Sequence, residues 1–276
     1  MHEALGHGQG GGGGTRPLSG RIAVAGKGGV GKTTISAGLA RLLAREGAAV
    51  YAVDADPDVS LGLALGVPAQ DLAALPPIIA ARDLVLSRTG EGTMLLLNPA
   101  VDDLLSSYGL WHEGIRLFRM GGVKGGGTAC YCPENSFLRA MLSSIVLRKG
   151  EMVLLDMGAG IEHLTRGTAR GVDLMLIVTE SGRASLDTAA TIGRLAAQIG
   201  VREIRYVGNK VRNELERQAM RAAFGDKLAA MIGLHEEVMD AAAGGRAGDL
   251  EGPFGHQLKE LLGKVLSIVS MSQETR

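Results

Sequence analysis

From Gly26 to Thr33 the chain reads Gly-Lys-Gly-Gly-Val-Gly-Lys-Thr, a glycine-rich loop closing on Gly-Lys-Thr. Glycines let the backbone curl so that successive N–H groups converge on one anion. At this spacing Lys32 reaches β- and γ-phosphates, and the Thr33 hydroxyl can ligate Mg²⁺. Gly28, Gly29, Val30, Gly31, Lys32, Thr33 and Thr34 therefore form the expected phosphate cradle. An apolar strand, Ile22–Ala25, precedes the loop, and a helical pattern, Lys32–Glu46, follows it. That is the context the motif requires, and the helix N-terminus adds positive potential beneath the phosphates.

Carboxylates with compatible chemistry lie elsewhere in the chain. Val53-Asp54-Ala55-Asp56-Pro57-Asp58 puts acids at the carboxyl end of a second strand, where open α/β sheets build their ligand crevice. Asp58 reads as a solvated turn residue. Val153-Leu154-Leu155-Asp156 is an apolar strand ending in an acid placed to act on Mg²⁺ through a water or through Thr33. The following Met157-Gly158-Ala159-Gly160 is flexible enough to respond to a γ-phosphate. Asn209-Lys210 end a further strand. Two residues after the lysine, where GTPases carry an aspartate for guanine, stands Arg212, which has no acceptor to offer. An asparagine amide has the donor and acceptor an adenine edge needs, so ATP is expected over GTP. The plainer alternative is that Asn209 satisfies strand-end backbone groups.

Both cysteines of the chain sit in Cys130-Tyr131-Cys132, just ahead of a helical pattern whose N-terminal potential lowers thiol pKa. Two thiolates do not complete a tetrahedral site, whereas two copies related by a two-fold axis would supply four. Inert packing remains open, and so does a redox pair, although a disulfide across one residue closes a strained ring.

Lys27, directly after the first glycine, gives the loop a second lysine. In this it resembles the deviant P-loop group that includes the Min and Par ATPases and the nitrogenase iron protein. That resemblance implies a homodimer in which Lys27 reaches the partner's nucleotide and stabilises charge on the transferring phosphoryl group. It also implies that Asp56 positions or activates the attacking water and that Asp54 supports the magnesium shell. Taken with Cys130-Tyr131-Cys132, the run Asp156–Ala169 and Arg205–Val211, the chain is similar, over about residues 21–270, to the carbon monoxide dehydrogenase maturation ATPase (CooC) family. The resemblance implies an ATP- and metal-promoted dimer that assists nickel insertion into the dehydrogenase's active-site cluster. Cys130 and Cys132 from both subunits would then hold one Ni²⁺ or Zn²⁺. Glu162 and His163 would belong to the switch and dimer surface, or simply to a helix start. Two rivals are a Min- or Par-like organiser on membrane or DNA, and a reductase carrying a four-iron cluster. Against the reductase, that class uses two well-separated cysteines per subunit.

These residues require a scaffold that brings strand ends together. Apolar runs at Ile22–Ala25, Ala49–Val53, Met94–Leu97, Met152–Asp156, Leu174–Val178 and Ile204–Gly208 alternate with helical patterns at Lys32–Glu46, Asn135–Leu147, Glu162–Gly171, Ser185–Ile199 and Glu214–Ala223. A short strand near Ala229–Ile232 and two C-terminal helices follow. The expectation is a doubly wound, mostly parallel sheet with helices on both faces, a P-loop NTPase fold. Residues 21–276 read as one domain behind a flexible glycine-rich leader, residues 1–20, whose His2 and His7 offer weak metal capture at most. Hydrophobic residues make up 46%, ample for a core of this size, and 29 basic residues balance 29 acidic ones. A neutral chain makes no global electrostatic case for nucleic acid or acidic lipid. No apolar run reaches the roughly 18 residues of a membrane span, no secretory signal is present, and two cysteines are no disulfide framework. The expected compartment is the cytoplasm. The C-terminal apolar stripe Phe254, Leu258, Leu261, Leu262, Val265, Leu266 and Val269 carries only Lys259 and Lys264 as positive charge, so it reads as a packing face and not a membrane anchor.

Overall fold

The structure, a computed structural model, describes residues 19–56, 60–77, 107–120, 150–158, 171–244 and 248–274. Within them the strands are β1 (Gly20–Gly26), β2 (Ala49–Asp54), β3 (Leu110–His112), β4 (Ile115–Arg119), β5 (Glu151–Asp156), β6 (Leu174–Thr179), β7 (Glu203–Val211) and β8 (Leu228–Gly233). The helices are α1 (Lys32–Arg45), α2 (Leu61–Ala64), α3 (Ala69–Ala74), α4 (Arg183–Ile199), α5 (Glu214–Phe224), α6 (Glu236–Ala243) and α7 (Pro253–Glu274). One sheet runs in the order β3-β4-β2-β5-β1-β6-β7-β8, parallel throughout except for the β3–β4 pair.

Side-chain alternation explains the layers. In β1, Ile22 and Val24 face a cluster built with α1 and α7, while Ala23 and Ala25 face the opposite cluster with Ala189, Ile192 and Ala196 of α4. All six residues of β6 are buried, as expected for a central parallel strand covered on both faces. On the α4 side, Tyr206 stacks on Phe224 of α5 with ring centroids 3.9 Å apart. The C-terminal stripe is buried as expected: Leu258, Leu261, Val265 and Val269 are fully covered. Lys264 donates to the Ala229 carbonyl at 2.6 Å, and Lys259 lies 3.5 Å from Glu251, so both lysines of that helix are engaged within the chain.

The sequence reading placed most of these elements and missed the short helices α2 and α3 and the β3–β4 hairpin. The β3–β4 hairpin turns at Glu113 (φ 46°) and Gly114 (φ 79°), and β4 joins the sheet beside β2. Arginines at both Arg116 and Arg119 disguised β4 as polar, although Ile115, Leu117 and the turn glycine were the available signal. The expected strand Met94–Leu97, the helix Asn135–Leu147, residues 162–170 of the next expected helix, residues 1–18 of the leader, Asp58 and the cysteine pair lie outside the described residues, while Gly20, expected in the leader, opens β1.

Candidate functional site

The loop between β1 and α1 crosses the carboxyl end of the sheet. Lys27, Gly28 and Gly29 form its exposed crest, while Val30 and Lys32 are buried. Two glycines are sterically compulsory. Gly26 has φ 151°, and a Cβ there would lie 2.3 Å from the Val178 carbonyl oxygen. Gly31, in the left-handed region at φ 92°, would put its Cβ 2.3 Å from Asn209 Nδ2. Lys32 Nζ arches back to the Lys27 carbonyl at 3.2 Å, which sets its ammonium across the loop.

A carboxylate cluster faces the first turn of α1. Thr33 Oγ1 donates to Asp156 Oδ2 at 2.7 Å, and Ser36 Oγ, one turn on, donates to Oδ1 at 2.8 Å. Ser60 Oγ lies 3.3 Å from Thr33 Oγ1. Asp54 is also fully buried, and its two oxygens accept the backbone N–H groups of Asp56 (3.1 Å) and Leu61 (2.8 Å). It thus pins both ends of the turn that carries Asp56 and launches α2. Burial pushes the Asp54 carboxyl up to about 7; the Leu61 N–H opposes this, and the Asp156 charge adds to it. Burial likewise lifts Asp156 to about 6, against the Thr33 and Ser36 hydroxyls and the Lys32 ammonium. Asp56 raises both, so three acids share one neighbourhood. Hard oxygen donors gathered at a lysine-capped loop fit Mg²⁺ and a polyphosphate. Thr33, with its proton committed to Asp156 and one lone pair facing the Ser60 hydroxyl, keeps the other lone pair for the ion.

Asn209 and Lys210 occupy a β-bulge in β7, with Lys210 at φ 57°. The bulge aims consecutive side chains at consecutive loop carbonyls. Asn209 Nδ2 donates to Val30 at 2.8 Å, and Lys210 Nζ donates to Gly29 at 2.7 Å while pairing with Glu180 at 2.7 Å. Both residues therefore brace the loop, through carbonyls of the loop and not of their own strand end. The remaining N–H and the oxygen of the Asn209 amide are the groups left for a base. Beside them lies a cavity of about 280 Å³, with Leu234, His235, Val238, Met239 and Phe254 among its lining residues. Sequence reasoning missed this wall, and it missed Ser36 and Ser60, which belong to no motif. Among the described residues no cluster of three or more histidine, cysteine, aspartate or glutamate side chains forms a metal site, and no helix is long and apolar enough to cross a membrane.

Residues 22–247 match the CobQ/CobB/MinD/ParA nucleotide binding domain. The chain is 48% identical over 200 residues to the carbon monoxide dehydrogenase accessory protein CooC of Rhodospirillum rubrum, covering 71% of this chain and 76% of that protein. It is 36% identical over 256 residues to an uncharacterized ATP-binding protein of Methanocaldococcus jannaschii, covering 90% and 98% respectively. The septum site-determining protein MinD of Pyrococcus horikoshii, solved with Mg-ADP, shares the fold with a TM-score of 0.65 at 16% identity, covering 92% of this chain and 99% of that one. With the phosphate loop, the carboxylate cluster and the parallel sheet in place, this chain is an ATPase of the CobQ/CobB/MinD/ParA nucleotide-binding family and belongs, within it, to the family of CooC.

Proposed function

We propose that this ATPase is a dimerising, cytoplasmic maturation factor that assists nickel insertion into the active-site cluster of carbon monoxide dehydrogenase. The observation that carries the reading is the 48% identity to CooC of Rhodospirillum rubrum. Within one subunit, Lys32 neutralises the β- and γ-phosphates, and Asp56 orients the attacking water at the mouth of the turn pinned by Asp54. Bound Mg²⁺ supplies charge neutralisation on the phosphate oxygens. Thr33 and Asp156 hold its place, the first through its remaining lone pair and the second by fixing the hydroxyl. Asn209 and Lys210 keep the loop in register with the base. Lys27, exposed on the crest, is free of the burial that ties Lys32 in place, which suits it to cross a two-fold interface to the partner's γ-phosphate.

The cargo ion, Ni²⁺ or Zn²⁺, would be held by Cys130 and Cys132 of both subunits, because one subunit has only two thiols. Ion and ATP then favour the same dimer, and by linkage each tightens the other's binding. Hydrolysis loosens the dimer and releases the ion or remodels the client. In this reading neither nucleic acid nor a membrane is a partner.

The alternative is a MinD- or ParA-like organiser acting on membrane or DNA. Weighing against the membrane form is the burial of the α7 stripe, with Leu258, Leu261, Val265 and Val269 closed off against the sheet and α1. Vesicle and DNA pelleting with ATP separates the two. The direct experiment replaces Cys130 and Cys132 by serine in cells grown on limiting nickel. The dehydrogenase should then be nickel-poor and inactive, while ATP binding by the purified variant is unchanged. A fully active dehydrogenase under those conditions would remove the metal-delivery mechanism.

A further inference from the structure

One wall of the cavity beside Asn209 is the link Gly233-Leu234-His235 between β8 and α6. This link is gripped from α7. Gln257 Oε1 accepts the Gly233 N–H at 2.9 Å and lies 3.0 Å from His235 Nε2. Because the Gly233 N–H fixes which end of the carboxamide faces the link, and a carbonyl oxygen only accepts, His235 donates to it through Nε2–H. Its Nδ1 lies 3.3 Å from Glu237 Oε1. The His235 ring also stands edge-on to Phe254, with centroids 5.8 Å apart, and Phe254 itself lines the cavity. Phe254 and Gln257, three residues apart on one helical face, thus hold the wall together. Little anchorage comes from the other side, since Ala241 is the only buried residue of α6.

We propose that Gln257 is a positioning residue for the purine base of the nucleotide. Its oxygen holds the Gly233 N–H and the His235 ring, beside the Leu234 N–H bond to the Val211 carbonyl, and so positions the wall against which the base packs without touching the phosphates. The inference rests on the reading that the cavity beside Asn209 receives the base.

The test compares KM and kcat for ATP hydrolysis with competition by inorganic tripolyphosphate, which has phosphates and no base. Gln257→Leu leaves the Gly233 N–H unsatisfied and the link tied to β7 only through the Leu234 N–H on the Val211 carbonyl. It should raise the KM for ATP about ten-fold, leave kcat within about two-fold, and leave inhibition by tripolyphosphate unchanged. Gln257→Glu keeps an acceptor oxygen and should restore most of the affinity. An unchanged KM in Gln257→Leu overturns the proposal, as does an equal loss for ATP and tripolyphosphate, or a Glu variant as impaired as the Leu variant. Val238→Trp, which fills the cavity, separates the two layers. If it leaves the KM for ATP unchanged, the base does not sit there and the proposal falls with that reading. If it weakens ATP while Gln257→Leu does nothing, the cavity stands and the role of Gln257 does not.

Discussion

Thr33 Oγ1 donates to Asp156 Oδ2 across 2.7 Å, joining the first turn of α1 to the last residue of β5. The contact ties the phosphate loop to a strand end and turns the remaining threonine lone pair outward. Asp156→Asn keeps the shape and removes the charge that holds Mg²⁺ near the loop. The variant should lose most of its Mg²⁺-dependent turnover, by about two orders of magnitude or more. Without ligand it should be as stable as the parent, since a buried charge has been removed. Thermal melts with and without Mg-ATP check this: the parent is stabilised by ligand, the variant much less.

Asp56 sits on the turn whose two ends Asp54 holds, and its charge reaches both buried acids. Asp56→Ala should bind ATP with near-parental affinity and fail to hydrolyse it, whereas Lys32→Ala should abolish turnover by removing charge at the phosphates. Equilibrium binding and phosphate release, measured side by side, make the distinction. Normal turnover by Asp56→Ala would take the water-positioning role away from that carboxylate.

Lys27 lies exposed on the crest while Lys32 is buried beneath it. If the first lysine serves the partner's phosphates, Lys27→Ala should bind ATP as a monomer, with a dimer detectable by sedimentation only in the parent. Its turnover should fall about a hundred-fold or more, as when a charge-stabilising finger is removed. A variant that sediments and hydrolyses like the parent would leave Lys27 as an ordinary surface residue.

The nucleotide-free protein should lose stability as pH rises from about 4 to about 7. Burial lifts Asp54 to about 7 and Asp156 to about 6 from an ordinary value of 3.8. Between those limits the folded chain holds more protons than the unfolded one, so stability falls with increasing pH and levels off above the folded pKa. Denaturant titrations at about pH 5 and about pH 8 should show the difference, and Asp54→Asn should shrink it. A stability that rises over the same interval in the parent would contradict the raised values.

Much of the molecule is legible in its sequence because short-range rules suffice for it. Glycine spacing, an apolar strand before the loop and a helical pattern after it place the phosphate site. Uniformly apolar strands announce a sheet covered on both faces. The stripe from Phe254 to Val269 tells that α7 packs, since its charges are too few for a membrane surface. Contacts between residues distant in the chain were decided only by tertiary structure. Ser36, unremarkable in sequence, reaches Asp156 because α1 lies across β5. Asn209 and Lys210 turn toward the loop carbonyls because a bulge in β7 redirects them, which no local pattern encodes. Gln257, on the last helix, meets Gly233 and His235 because α7 packs beside β8. Periodicity reports which face of an element is buried. The partner on that face, and hence where each polar group finds its hydrogen bond, follows from the packing of the whole sheet.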